Sequence, residues 1–181
     1  MSDPDYFRRL FEYDDWANAG HLATLAAPEA VRAMAHLLAA REIWLLRVKM
    51  GQAPQVPEPF SAAKGDQAPG KPEPDPVSLK FFRHLDVDQC RELHEQVSAD
   101  WRAWLDAATP ADLDAQVTFQ DSLGNPYTLT RRVMLTHVLL HSAHHRGQVA
   151  MAQRQAGLAP TDLDLYLSPL VQEQGPGSAG A

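Results

Sequence analysis

The stretch TRRVMLTHVLLHSAHHRGQVAMAQRQAG, residues 130–157, decides how the rest of the chain is read. It contains no proline, Thr128 or Thr130 can cap a helix, and Gly157 falls where a left-handed terminal residue is favoured. The spacing therefore predicts a helix that runs to Ala156. On its wheel Met134, Val138, His141, His145, Val149 and Ala152 share one arc, while His144 and Arg146 point away on either side. An arc of that kind is covered by other helices, so the neighbours of this segment set the fold class.

Three more helices can be read upstream. Residues 5–26 follow Ser2 or Asp3 as an N-cap, with Pro4 at the first helical position and acidic residues in the first turn. From Pro28 to Met50, Met34, Leu37, Leu38, Trp44, Leu45 and Val48 recur at helical spacing, and Gly51 ends the run. Ala33, His36, Ala40 and Ile43 give this helix a second face of mainly small or apolar residues, as expected inside a bundle or at a helical dimer interface. That surplus of apolar surface is the ground for expecting a homodimer. Val87, Cys90, Leu93, Val97, Trp101, Trp104 and Leu105 mark the next helix, with Leu79, Phe81 and Phe82 leading in and Pro110 as the break after it. Val117 to Leu129 alternate around a turn-rich centre and read as a short hairpin. The expectation is an all-α four-helix bundle with a short hairpin before the last long helix, forming a single domain over residues 1–170. Residues 52–77, rich in proline, read as a surface loop that is either a lid over a site or disordered, and residues 171–181 read as a flexible tail.

Composition narrows the partners. With 16 Lys+Arg against 23 Asp+Glu in 181 residues, the formal net charge is −7, which disfavours nucleic acid and anionic bilayers. Apolar residues make up 45% of the chain, enough for a real core. The apolar tract at residues 33–46 is interrupted by His36, Arg41 and Glu42, so no membrane span is expected. The N-terminus lacks the basic flank and apolar run of a secretory signal, which gives a cytoplasmic expectation. Cys90 is the single cysteine, spaced with Leu93 and Val97 as a core thiol, so a metal here must use histidine or carboxylate.

Four of the eight histidines, His137, His141, His144 and His145, lie in the last long helix. Residues four apart stack on one helix face, so His137 with His141, or His141 with His145, can share an ion. His137 and His145 cannot both join, because eight residues span about 12 Å at ~1.5 Å per residue. The 141/145 pair faces the core side, where its nitrogens need partners, and a metal with a histidine from another helix would supply them. His36, one turn into the tightly packed second helix, is the natural third. His137 is the reserve ligand, with a supporting or packing role as its alternative. The plainer reading of the pair is two hydrogen-bonded or surface imidazoles. His21, His84 and His94 sit at helix boundaries or on mixed faces and read as surface or capping residues.

The run His137-x-x-x-His141-x-x-His144-His145-Arg146-Gly147-Gln148 resembles the DinB/YfiT-like family of small metal-binding proteins. Tyr13-x-x-Trp16-Ala17-Asn18, the stretch from His36 to Trp44, and Pro160-x-Asp162-x-Asp164-Leu165-Tyr166 carry the same resemblance. It implies a four-helix bundle with unusual connections, commonly dimeric, holding a divalent ion by one histidine of the second helix and two of the fourth. Carried onto this chain, those ligands are His36, His141 and His145. An all-imidazole set suits a divalent transition metal, Zn or Ni foremost, over Mg or Ca. Three ligands leave a coordination position open. Several relatives use low-molecular-weight thiols such as bacillithiol or mycothiol. The resemblance thus implies metal-dependent transfer of such a thiol to a small electrophilic substrate. The alternatives are a metal-dependent hydrolase and a non-catalytic, stress-related dimer with a structural metal. Gln148 lies near the ligand face and is a candidate contact for the thiol cofactor, or else a hydrogen-bond partner of a ligand histidine. The insert at residues 52–77 departs from the family pattern and follows the helix that carries His36.

Overall fold

In the computed structural model, which describes residues 3–50, 84–120 and 125–172, four long helices enclose the core. They are α1 (Asp3–Ala23), α2 (Pro28–Met50), α3 (Val87–Ala107) and, after the short α4 (Pro110–Asp114) and a hairpin, α5 (Arg131–Gln155). The hairpin pairs β1 (Gln116–Gln120) with β2 (Pro126–Thr130). A 3-10 turn (Leu165–Leu167) and α6 (Pro169–Gln172) follow α5.

Side chains set the element ends. Asp86 accepts from the Gln89 amide at 2.8 Å while the Gln89 side chain accepts from the Asp86 amide at 3.0 Å, a reciprocal cap that starts α3. Thr109 and Asp112 repeat the arrangement with Pro110 in the first turn, so the proline expected only as a break opens a short helix of its own. Thr130 caps α5 by accepting from the Val133 amide, and Gly157 closes the turn after it with φ 75°. In the hairpin Val117 and Phe119 turn inward while Gln116, Thr118 and Gln120 face out, the period of two that a half-buried strand requires.

Long-range contacts fix the helix order. Arg8 reaches Asp106 and Arg91 reaches the Leu22 carbonyl, so α1 and α3 run antiparallel. Asp3 pairs with Arg132 and Thr24 with Gln153, so α1 and α5 run parallel. Arg131 donates to the Val48 carbonyl and the Ala27 amide donates to Gln153, so α2 and α5 run antiparallel. It follows that α2 and α3 are parallel neighbours, tied by Trp101 Nε1 to the Arg41 carbonyl. Parallel neighbours need a long connection back along the bundle, which gives the length of chain between them a topological reason. The proline-rich stretch itself, the Leu79, Phe81 and Phe82 lead-in, residues 121–124 and residues 173–181 lie outside the described residues, and the first two residues of the segment 171–181 read as a tail instead end α6.

The core draws Phe7, Phe11, Leu37, Leu38, Trp101, Leu105, Met134 and Leu135 from all four helices. Met34, Leu37, Leu38, Trp44, Leu45 and Val48 of α2 are buried within this single chain, as are Ala40 and Ile43 of its second face, while Ala33 and His36 are half-buried. No described helix is long and apolar enough to cross a membrane. The segment after α5 packs along α1. Tyr13 donates to the Leu163 carbonyl at 3.0 Å, Thr24 meets Thr161 at 3.3 Å, and a Cβ on Gly20 would sit 2.5 Å from Leu163 Cδ2. A side chain at residue 20 would have to displace the Leu163 methyl groups that rest on this glycine.

Candidate metal centre

The α2–α5 pair is held at both ends by buried polar side chains. Gln153 accepts from the Ala27 amide at 2.9 Å, and the Arg131 guanidinium donates to the Val48 carbonyl at 2.9 Å. The antiparallel register set by these two ties brings His36 level with the turn that separates His141 from His145. Their rings meet: His36 lies 5.4 Å from His141 and 4.6 Å from His145 between centroids, and His141 lies 4.3 Å from His145. One nitrogen from each of the three lies within 4.8 Å of the others, and all three residues are half-buried. Such a cluster can hold a metal ion, and its donors come from two rigid helices rather than from loops.

The protonation states suit that use. His141 has its pKa pushed down to about 3, first by burial and then by the neighbouring imidazoles His145, His36, His137 and His144. His145 is lowered by burial as well, against the opposing effect of its bond to Gln148. Both are neutral near pH 7 and offer lone pairs. Gln148 Oε1 lies 2.7 Å from His145 Nδ1, and Gln148 Nε2 lies 3.0 Å from His144 Nε2. With the Gln148 amide donating to His144, its oxygen accepts from His145 Nδ1–H, and the His145 Nε2 lone pair is left facing His141 Nε2 at 3.1 Å. The donor chemistry therefore fits a transition ion: three imidazole nitrogens, no carboxylate among them, and one tautomer set by a side-chain amide.

His137 stands outside this cluster. Its ring packs 4.5 Å from Trp44, whose other neighbours are Phe119 at 5.3 Å and the Arg47 guanidinium at 4.8 Å. Burial and then the charge of Arg47 lower its pKa.

One sequence reading needs completing and two need correction. Arg146 points away from the ligand arc but not into solvent: it is buried on the α1 side, paired with Asp14, donating to Asn18 Oδ1 at 3.2 Å and lying 5.4 Å over the Tyr13 ring. His21 and His94 are buried rather than surface residues. His94 Nδ1 lies 3.3 Å from Ser98 Oγ, which donates to Asp15 Oδ1 at 2.6 Å and accepts from Arg41 at 3.3 Å. Cys90 is the buried thiol its spacing predicts, with its pKa pushed up to about 11 by burial and then by Asp86.

Comparison with known proteins adds one finding: the family model described as the DinB family matches residues 25–175. No curated protein and no solved structure matches the chain.

Proposed function

The chain belongs to the DinB family, and from that premise we propose that it is a metal-dependent enzyme that transfers a low-molecular-weight thiol to an electrophilic small molecule. The observation that carries this reading is the convergence of His36, His141 and His145 in a half-buried cluster at the α2–α5 seam. These residues would hold one divalent ion, Zn or Ni, by three imidazole nitrogens. When bound, the ion would supply Lewis acidity that lowers the pKa of an incoming thiol and favours the thiolate nucleophile. The chain's own thiol takes no part, since Cys90 is buried in the core. The thiol comes from outside, where the cluster is partly open to solvent. Gln148 is exposed beside His145, able to orient that ligand and to meet the thiol cofactor.

The test is a rate assay of metal-loaded protein with bacillithiol, mycothiol, glutathione and cysteine against a haloarene or an epoxide, beside metal-free protein and His145→Ala. The proposal expects thiol transfer that needs both the metal and His145. Thiol-independent ester hydrolysis with no thiol transfer would move the reading to a hydrolase, and metal with neither activity to a structural role. Support for a homodimer now rests on Val133, Leu140 and Met151, exposed on α5, and light scattering at micromolar concentration checks it.

A further inference from the structure

The first-helix motif and the arginine beside His145 have so far no role in the chemistry, yet they meet in the bundle interior. Asp14 Oδ1 pairs with Arg146 of α5, and Asp14 Oδ2 lies 3.2 Å from Arg41 Nε of α2. The Asp14 and Arg41 side chains are each 1% exposed, and that of Arg146 is 9% exposed. Asn18 flanks the same carboxylate, donating to Asp14 Oδ2 at 3.3 Å and accepting from Arg146. Asp15 completes the balance of charge by accepting from Arg41 at 2.6 Å. One carboxylate thus joins the two helices that supply the histidines. On α5 its partner is the residue next to His145. On α2 its partner lies five residues beyond His36, about 7.5 Å along the axis at ~1.5 Å per residue.

We propose that Asp14 is a positioning residue for the metal centre: by bridging Arg41 and Arg146 it holds α2 and α5 at the rotation that brings His36 against His141 and His145. The inference rests on the reading of that cluster as a metal site. The ties at Gln153 and Arg131 fix the ends of the α2–α5 pair, and of these three the Asp14 bridge lies nearest the histidines. Burial makes it decisive. With the carboxylate charge removed, Arg41 keeps Asp15 but Arg146 loses its carboxylate with little solvent to replace it, and the helices would rotate or part to relieve the excess positive charge. Ligand geometry responds to sub-ångström movement of that kind, and groups that orient metal ligands typically change affinity by about 10- to 100-fold when mutated.

The experiment measures Zn²⁺ affinity by competition with a chromophoric chelator, and melting temperature in parallel. The proteins are wild type, Asp14→Asn, Arg146→Lys and, as a core control of comparable stability loss, Leu113→Ala. Leu113 is fully buried in α4 and belongs to no part of the bridge. The expected result is binding weakened by about 10- to 100-fold in Asp14→Asn and by less in Arg146→Lys, which keeps the charge and loses the fork. Leu113→Ala should bind as wild type does. Equal affinity changes in Asp14→Asn and Leu113→Ala would overturn the proposal. If Asp14→Asn does not fold, the comparison of Arg146→Lys with Leu113→Ala decides it by the same criterion. A second readout needs no metal: NOE spectra of the metal-free protein should show ring contacts from His36 to His141 and His145 in wild type and weakened contacts in the bridge variant. Unchanged spectra overturn the positioning role, whereas a wild type that takes up no Zn²⁺ refutes the metal reading itself.

Discussion

His21→Gln should flatten the acid sensitivity of the metal-free protein. His21 lies in the last turn of α1, where the helix dipole favours a cation, yet burial and then the charge of Arg146 push its pKa down from 6.5 to about 4. The sign follows from the proton count. Above about pH 6.5 neither state holds the proton; as pH falls from there to about 4, the unfolded chain takes it and the native chain refuses it, so stability is lost through that window and levels off below it. A depression of this size corresponds to about 3 kcal/mol in full, of which about 2 kcal/mol is lost between about pH 7 and about pH 5. The residue is 5% exposed, so solvent screens this little. Urea unfolding in the presence of a chelator, at those two pH values, measures it. Wild type should lose about 2 kcal/mol more than His21→Gln over the interval, because the amide has no proton to gain. If the two proteins lose stability in parallel, the neutral buried imidazole is wrong.

Two further outcomes follow from burial and backbone. Cys90 should resist alkylating and disulfide reagents in the native protein and react fully in urea, since its thiol is buried and its pKa is raised to about 11; rapid native labelling would contradict the core placement. Gly147→Ala should stabilise the protein by about 0.5–1 kcal/mol, because a Cβ there meets no atom within 4 Å and the residue lies inside α5. A lower melting temperature would contradict the open space around this position.

The sequence is most legible where a local signal and burial agree. Pro28 and the residue before Gly51 bound α2 as observed, and Thr130 and Gly157 bracket α5. Helical spacing alone places His141 and His145 on one face, and the antiparallel register of α2 and α5 then brings His36 to them. A wheel gives an angle but not what covers it. Arg146 lies off the ligand arc, and only the arrival of Asp14 and Asn18 on another helix makes its side of α5 an interior. The same network hides the inner face of α1, because Asp14, Asn18 and His21 are buried there in place of apolar residues. The packing of the chain after Gly157 was illegible for a different reason: it docks through the carbonyls of Leu163 and Leu170 and through the absence of a side chain at Gly20, none of which leaves a periodic trace.

The most direct measurement is the metal content of untagged protein by mass spectrometry, on wild type and on single alanine variants at His36, His137, His141 and His145. Three converging imidazoles predict about one divalent ion per chain in wild type, sharp loss in His36→Ala, His141→Ala and His145→Ala, and retention in His137→Ala, whose ring packs on Trp44 outside the cluster. Full occupancy in His36→Ala together with loss in His137→Ala would contradict the account.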